Sequence, residues 1–71
     1  EELRELAQRA AAKVRERGRP WHLEPMAPHE RRIVHLALAD DPEIETESVG
    51  EGYLKRVRIK PAQDQPVPQQ G

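Results

Sequence analysis

The stretch Pro28-His29-Glu30-Arg31-Arg32-Ile33-Val34-His35-Leu36-Ala37-Leu38 decides the fold prediction for this chain. Its apolar residues recur at helical spacing, which predicts a short helix with one face turned toward a core. Residues four apart lie on the same side of a helix, so Arg31 and His35 are expected to point the same way. A guanidinium held beside an imidazole is well suited to bind an anion such as a phosphate. The structural alternative is that Arg31 pairs with a nearby acid and His35 caps a polar group of the core.

A second helix is predicted before this one, over residues 3–16. It ends at Gly18, with Pro20 shortly after, which is a typical helix stop. Acidic residues crowd its first turn and basic residues its last, as the helix dipole favours. Its apolar stripe consists of Leu3, Leu6, Ala7, Ala10, Ala11 and Val14.

Three short strands complete the predicted domain: residues 20–25, 43–48 and 55–60. Trp21, in the first, is expected in the core as the largest apolar residue, and stacking on a nucleic-acid base is the less favoured alternative. The other two alternate charged residues with apolar or hydroxyl residues and flank a loop that contains Gly50 and Gly52, which predicts a hairpin. One antiparallel register would place Glu43, Glu45 and Glu47 beside Lys60, Arg58 and Arg56, with Ile44 beside Ile59 and Thr46 beside Val57.

The order α-β-α-β-β predicts an α+β domain over residues 1–60, with two helices packed on one face of a small three-stranded, mainly antiparallel sheet. Pro42 ends the helix that begins at Pro28. Residues 61–71 are rich in proline and glutamine and are predicted to form a disordered tail.

Composition narrows the classes of function. The chain has 71 residues, no cysteine and a net charge of −1. A disulfide framework or thiolate metal site is therefore excluded, and a cytoplasmic location is expected. No apolar run is long enough for membrane insertion. The near-neutral charge disfavours strong, non-specific duplex binding. Because the sequence starts at Glu1 in a helical pattern, we expect a fragment of a longer protein.

The string from Gly18 to Leu38 resembles the R-three-H family, a domain named for its Arg-x-x-x-His motif. The likeness is greatest to the C-terminal copy in bacterial Jag-like, or SpoIIIJ-associated, proteins, in which a Leu-x-Pro-Met stretch precedes Glu-Arg-Arg-Ile-x-His. It covers roughly residues 3–60. The features that carry the likeness further are Asp40-Asp41-Pro42, Thr46, Gly50-Glu51-Gly52 and Arg56-Val57.

The resemblance implies a three-stranded sheet with two helices that binds single-stranded nucleic acid, RNA or DNA, with Arg31 and His35 as the motif pair. It also implies a preceding KH domain in the whole protein and a role as an RNA-binding regulator linked to cell elongation and division. Ala27 stands where the family usually has Asn or Ser before the helix, which weakens the helix cap. Glu30 partly compensates by its charge near the helix start.

Other basic residues are open to two interpretations. Arg32 either extends a basic patch or is simply solvated. The strand residues Arg56, Arg58 and Lys60 would extend the binding site if they followed a nucleic-acid backbone. Neutralisation by the opposing acids is the favoured interpretation.

The remaining basic, apolar and histidine residues are weaker candidates for a binding or metal site. Arg15, Arg17 and Arg19 are best explained by the helix dipole. Leu36 lies off the core stripe and is expected to be exposed. The spacing of His22, His29 and His35 matches no standard metal site, so no metal and no cofactor are expected.

Two competing functions remain beside nucleic-acid binding. One is a protein-interaction module that uses Leu36, the acidic strand or the tail. The other is catalysis with His35 as an acid or base, which is disfavoured by the small size and the lack of a nearby nucleophile. The sequence leaves RNA versus DNA and the oligomeric state undecided.

Overall fold

A computed structural model describes residues 2–62 and confirms the α+β class. The predicted order α-β-α-β-β is also confirmed. The elements are α1 (Glu2–Arg17), β1 (Trp21–His22), α2 (Pro28–Leu38), β2 (Ile44–Val49) and β3 (Arg56–Pro61).

The last strand runs slightly past the predicted domain end. Pro61 belongs to β3, and the Ala62 N–H donates to the Glu43 carbonyl at 2.9 Å. The rest of the predicted tail, residues 63–71, lies outside the described residues.

The helix ends follow from local chemistry. Gly18 has φ +72°, and its N–H donates to the Val14 carbonyl at 2.7 Å, which closes α1. Glycine adopts this left-handed conformation without the strain that a side chain would add. At the start of α2, the Glu30 carboxylate reaches back to accept a hydrogen bond from the Ala27 N–H at 2.9 Å. Glu30 thus satisfies a backbone donor directly, beyond the charge effect expected of it.

The sheet has the order β1-β3-β2, with both pairs antiparallel. The predicted hairpin is confirmed, but its predicted register is wrong by two residues. Glu45 lies opposite Lys60, Glu47 opposite Arg58 and Thr46 opposite Ile59. Because side chains alternate with a period of two, this shift leaves every residue on its predicted face and changes only its partner.

The core lies between the helices and one face of the sheet. Val14 from α1, Val34 from α2, and Val57 and Ile59 from β3 are its largest fully buried side chains. Within residues 2–62, the buried hydrophobic residues of this core are Ala7, Ala10, Ala11, Val14, Leu23, Met26, Val34, Leu38, Ile44, Val57 and Ile59.

The prediction that Trp21 belongs to the core is wrong. Strand β1 has only two residues and forms an edge of the sheet, where the Trp21 residue stays 39% exposed. Leu23 and Met26 fill the adjoining part of the core instead. Across residues 2–62, no helix is long and apolar enough to cross a membrane.

Candidate nucleic-acid interface

Arg31 is the one charged side chain that is buried among residues 2–62. It projects from the first turns of α2 and is only 8% exposed. Its Nη2 donates to the Tyr53 carbonyl at 3.2 Å, which ties α2 to the β2–β3 loop. Its Nε is buried and has no hydrogen-bond partner among the described residues. No carboxylate within residues 2–62 forms an ion pair with Arg31. Pairing with a nearby acid, the ordinary explanation for such an arginine, is therefore not observed.

His35 lies one turn further along α2 and joins the helix to β2. Its Nδ1 is 2.7 Å from Thr46 Oγ1, and its Nε2 is 3.1 Å from Ser48 Oγ. Burial of the ring and, after it, the positive charge of Arg31 hold the pKa of His35 below its ordinary value. The imidazole is therefore mostly neutral at pH 7, with one nitrogen donating to a hydroxyl and the other accepting from a hydroxyl.

An open depression brings the two motif residues together. Its lining consists of Pro28, Arg31, Arg32, His35, Leu36 and Ser48. A phosphate oxygen seated here can accept from the guanidinium and from a hydroxyl, and the fork of an arginine suits two oxygens at once. No carboxylate is part of this lining. The depression thus favours an anionic ligand.

Arg32 belongs to this depression, whereas the strand bases do not. Arg32 is exposed at its rim. Arg58 bonds to Glu47, and Lys60 lies 3.7 Å from Glu47 and 3.9 Å from Glu45. The Arg58 hydrogen bond is the main reason that the pKa of Glu47 is held below its ordinary value.

The strand bases also point away from α2. Val57 and Ile59 of β3 are buried beneath the helices. Arg56, Arg58 and Lys60 alternate with them and so project from the opposite face of the sheet. The structure therefore does not bring these three together with Arg31. Arg56 is exposed and lies opposite Val49, not beside Glu47 as the predicted register had it.

The remaining candidates are separate from one another. Within residues 2–62, no group of three or more His, Cys, Asp or Glu residues is placed to hold a metal ion. Leu36 is 62% exposed, as predicted. It lines both the depression and a second groove between α1 and α2, whose other residues are Arg4, Glu5, Gln8, Arg9, Ile33 and Ala37.

Sequence reasoning missed the roles of Ser48 and the Tyr53 carbonyl in this site. One signal was available for the first. Thr46 and Ser48 place hydroxyls on the inward face of a strand where apolar residues are usual, which calls for a polar partner on the facing helix. Nothing in the side chain of Tyr53 indicates that its carbonyl would bind an arginine.

Comparison with known proteins agrees with the family resemblance of the sequence. Residues 1–61 match the model of the R-three-H domain. The chain belongs to the R-three-H domain family. It is similar to the RNA-binding protein KhpB of Clostridium symbiosum, with 46% identity over 59 residues that make up 83% of this chain. The chain spans only 27% of the length of that relative. Within this R-three-H domain, the motif arginine and histidine are the pair that faces the depression.

Proposed function

We propose that this R-three-H domain binds single-stranded nucleic acid, RNA in particular, with Arg31 as the anchor for a backbone phosphate. The burial of its guanidinium supports the proposal most. A buried charge without an opposite charge is costly, and so is a buried nitrogen without an acceptor. A phosphate seated in the depression that Arg31 lines supplies the missing opposite charge.

In this proposal His35 is a positioning residue. Both of its ring nitrogens are engaged by Thr46 and Ser48, so a direct hydrogen bond from the ring to a phosphate would break one of these contacts. The ring instead fixes the Ser48 hydroxyl at the edge of the depression. The hydroxyl then faces the same ligand as Arg31, and Arg32 supplies a second cation at the rim.

In this proposal the domain binds nucleic acid and catalyses no reaction. The protein is cytoplasmic, and a KH domain precedes this domain in the whole protein. The printed name of the relative, an RNA-binding protein, supports RNA over DNA. A single small site binds weakly, and a linked second module would raise the overall affinity through effective concentration. The sequence upstream of Glu1 in the complete gene tests the KH prediction directly.

The binding test is fluorescence anisotropy with a labelled oligouridine hexamer across a salt series. Each phosphate contact on a single strand contributes about −0.7 to the slope of log K against log salt, so Arg31 and Arg32 together predict about −1.4. Arg31→Lys keeps the charge but loses the planar fork, so its affinity is expected to fall about tenfold at an unchanged slope. Arg32→Gln should make the salt dependence weaker, with a slope of about −0.7.

Arg4→Lys is the matched control, because Arg4 is an exposed arginine on α1 away from this depression. It is expected to bind like the parent. If Arg31→Lys also binds like the parent, Arg31 is not the anchor. Incubation of the domain with the same RNA, followed by gel analysis, should leave the RNA intact. Cleavage that persists through repurification would contradict binding without catalysis.

A further inference from the structure

Trp21 presents part of its indole to solvent at the β1 edge of the sheet. Its strand partner Ile59 is fully buried, yet Trp21 remains 39% exposed. The Lys13 ammonium lies 5.8 Å from the ring centroid, which is within range of a cation–π contact. A single exposed aromatic residue is ordinary on a protein surface. The surroundings of this one make it a candidate binding platform.

Three cations surround the indole, and none of them has an acidic partner among the described residues. Lys13, Arg17 and Arg19 are all exposed. Together with Pro20 and Trp21 they line one depression that contains no carboxylate. Arg15, at the same end of α1, behaves differently because it bonds to Asp41.

The helix dipole does not account for this cluster. The C-terminal end of a helix carries the equivalent of about half a negative charge, and its effect fades within the last turn. Three unpaired cations exceed that amount several-fold. Arg19 lies outside α1, because the helix ends at Arg17. The cluster, here called the Trp21 patch (Lys13, Arg17, Arg19, Pro20 and Trp21), therefore has a surplus of positive charge around an aromatic face.

This combination fits one class of ligand better than others. Proteins bind single-stranded nucleic acid through aromatic rings on which bases stack and cations that follow the phosphates. A duplex keeps its base faces stacked inside, so it offers nothing to the indole. An acidic peptide would use the cations but would leave the indole without a planar partner.

We infer that the Trp21 patch is a second contact site for single-stranded nucleic acid, in which a base stacks on the indole and the three cations hold the flanking phosphates. The inference rests on the proposed function for its class of ligand. It adds a site that the Arg-x-x-x-His motif does not include.

The register shows how the two sites are related. Trp21 pairs with Ile59, and Ile59 pairs with Thr46, whose hydroxyl binds His35. The three residues form one row across the sheet, with the backbones of Trp21 and Thr46 about 10 Å apart at the usual strand spacing. The patch and the Arg31 depression therefore lie toward opposite edges of one domain. A short oligonucleotide engages one site, and a longer one reaches both.

The native fluorescence of the protein tests the inference, because the chain contains one tryptophan. An unlabelled oligouridine dodecamer should quench Trp21 at the same concentrations at which anisotropy detects binding. An abasic dodecamer, which has the phosphates and no bases, should leave the emission nearly unchanged. Free N-acetyltryptophanamide, titrated in parallel, corrects for absorbance by the RNA.

Variants supply the second arm of the experiment. Base stacking on an aromatic residue predicts that Trp21→Ala weakens dodecamer binding about 5- to 150-fold. The double variant Arg17→Gln with Arg19→Gln leaves the indole in place and should weaken dodecamer binding and quenching together. Arg4→Gln with Arg9→Gln removes the same charge from α1 away from the patch and should have a smaller effect.

The outcomes separate this inference from the proposed function. Saturated dodecamer binding without quenching overturns the Trp21 patch and leaves the Arg31 site intact. Equal quenching by the abasic strand overturns base stacking and reduces the patch to a general anion site. The expected tenfold fall of hexamer affinity in Arg31→Lys, with normal dodecamer quenching, supports two separate sites. If Arg31→Lys binds normally while Trp21 is quenched, the patch stands and the Arg31 anchor fails.

Discussion

Replacement of Arg31 by methionine should stabilise the free domain and weaken its binding to RNA at the same time. Methionine is an unbranched apolar side chain that follows the arginine stem as far as the position of Nε and carries no charge. The change removes the hydrogen bond to the Tyr53 carbonyl, which costs about 1 kcal/mol. Because Tyr53 is 69% exposed, water can reach this part of the loop and replace the lost donor.

The gain in stability comes from the removal of the buried Arg31 Nε, which has no acceptor among the described residues. A buried and unsatisfied polar group costs about 1–3 kcal/mol, and more when it is charged. The balance predicts that Arg31→Met raises the free energy of unfolding by about 1 kcal/mol. For a domain of this size the melting temperature should rise by about 4–8 °C.

The loss of binding is larger. A hydrogen bond to a charged group is worth about 1.5–3 kcal/mol, which corresponds to a loss of affinity of about 10- to 150-fold. Urea unfolding followed by circular dichroism measures the first effect, and anisotropy with the hexamer measures the second. Arg4→Met controls for the general effect of exchanging an arginine for methionine on the surface.

One result would refute the reasoning outright. If Arg31→Met unfolds at lower urea than the parent and still binds RNA with parental affinity, the guanidinium serves the fold and not a ligand. A gain in stability with unchanged affinity would show that the buried charge is costly but is not retained for this ligand.

Three further predictions concern stability. The lowered pKa of His35 means that the unfolded chain takes up its proton first, so stability should fall as the pH drops below about 6.5 and level off below the folded pKa. His35→Gln should flatten this part of a pH series of urea unfolding curves, and a curve that keeps the full slope would argue against His35 as its source. Thr46→Val removes the hydroxyl 2.7 Å from His35 Nδ1 and should cost about 1 kcal/mol in urea unfolding, whereas no loss would mean that Ser48 alone holds the ring. Gly18→Ala places a side chain at φ +72° and should cost about 1–2 kcal/mol, with a lower melting temperature as the measurement; an unchanged one would mean that the turn relaxes freely.

Much of the fold was predictable because local chemistry decides where its elements begin and end. Gly18 stops α1, and Pro28 starts α2. The alternation along β2 and β3 fixes which side chains face the helices. The same alternation permits any shift by an even number of residues, so it could not fix the register. Backbone packing and the loop between the strands decide that, and they placed Glu47 opposite Arg58.

The sequence predicted which residues of α2 form the candidate site, but it did not predict how deeply they are buried or what they contact. Helical spacing predicted that Arg31 and His35 share a face. It gave no sign that Arg31 would be 8% exposed, because the loop carbonyl that covers it belongs to Tyr53, far along the chain. The prediction that Trp21 lies in the core was wrong for a different reason. Hydrophobicity favours burial, but a two-residue edge strand offers too little surface to cover an indole.

The distribution of charge across the hairpin also bears on self-association. Strand β2 forms one edge of the sheet and carries Glu45 and Glu47, while the bases that neutralise them lie on the central strand β3. An open edge invites a strand from another molecule to pair with it. If β2 of a second molecule paired antiparallel with this edge, acidic residues of the two strands would lie opposite one another. No basic residue of β3 would lie between these two strands to neutralise them. The ladder that joins the hairpin inside one molecule therefore discourages the same hairpin from joining its neighbours into aggregates.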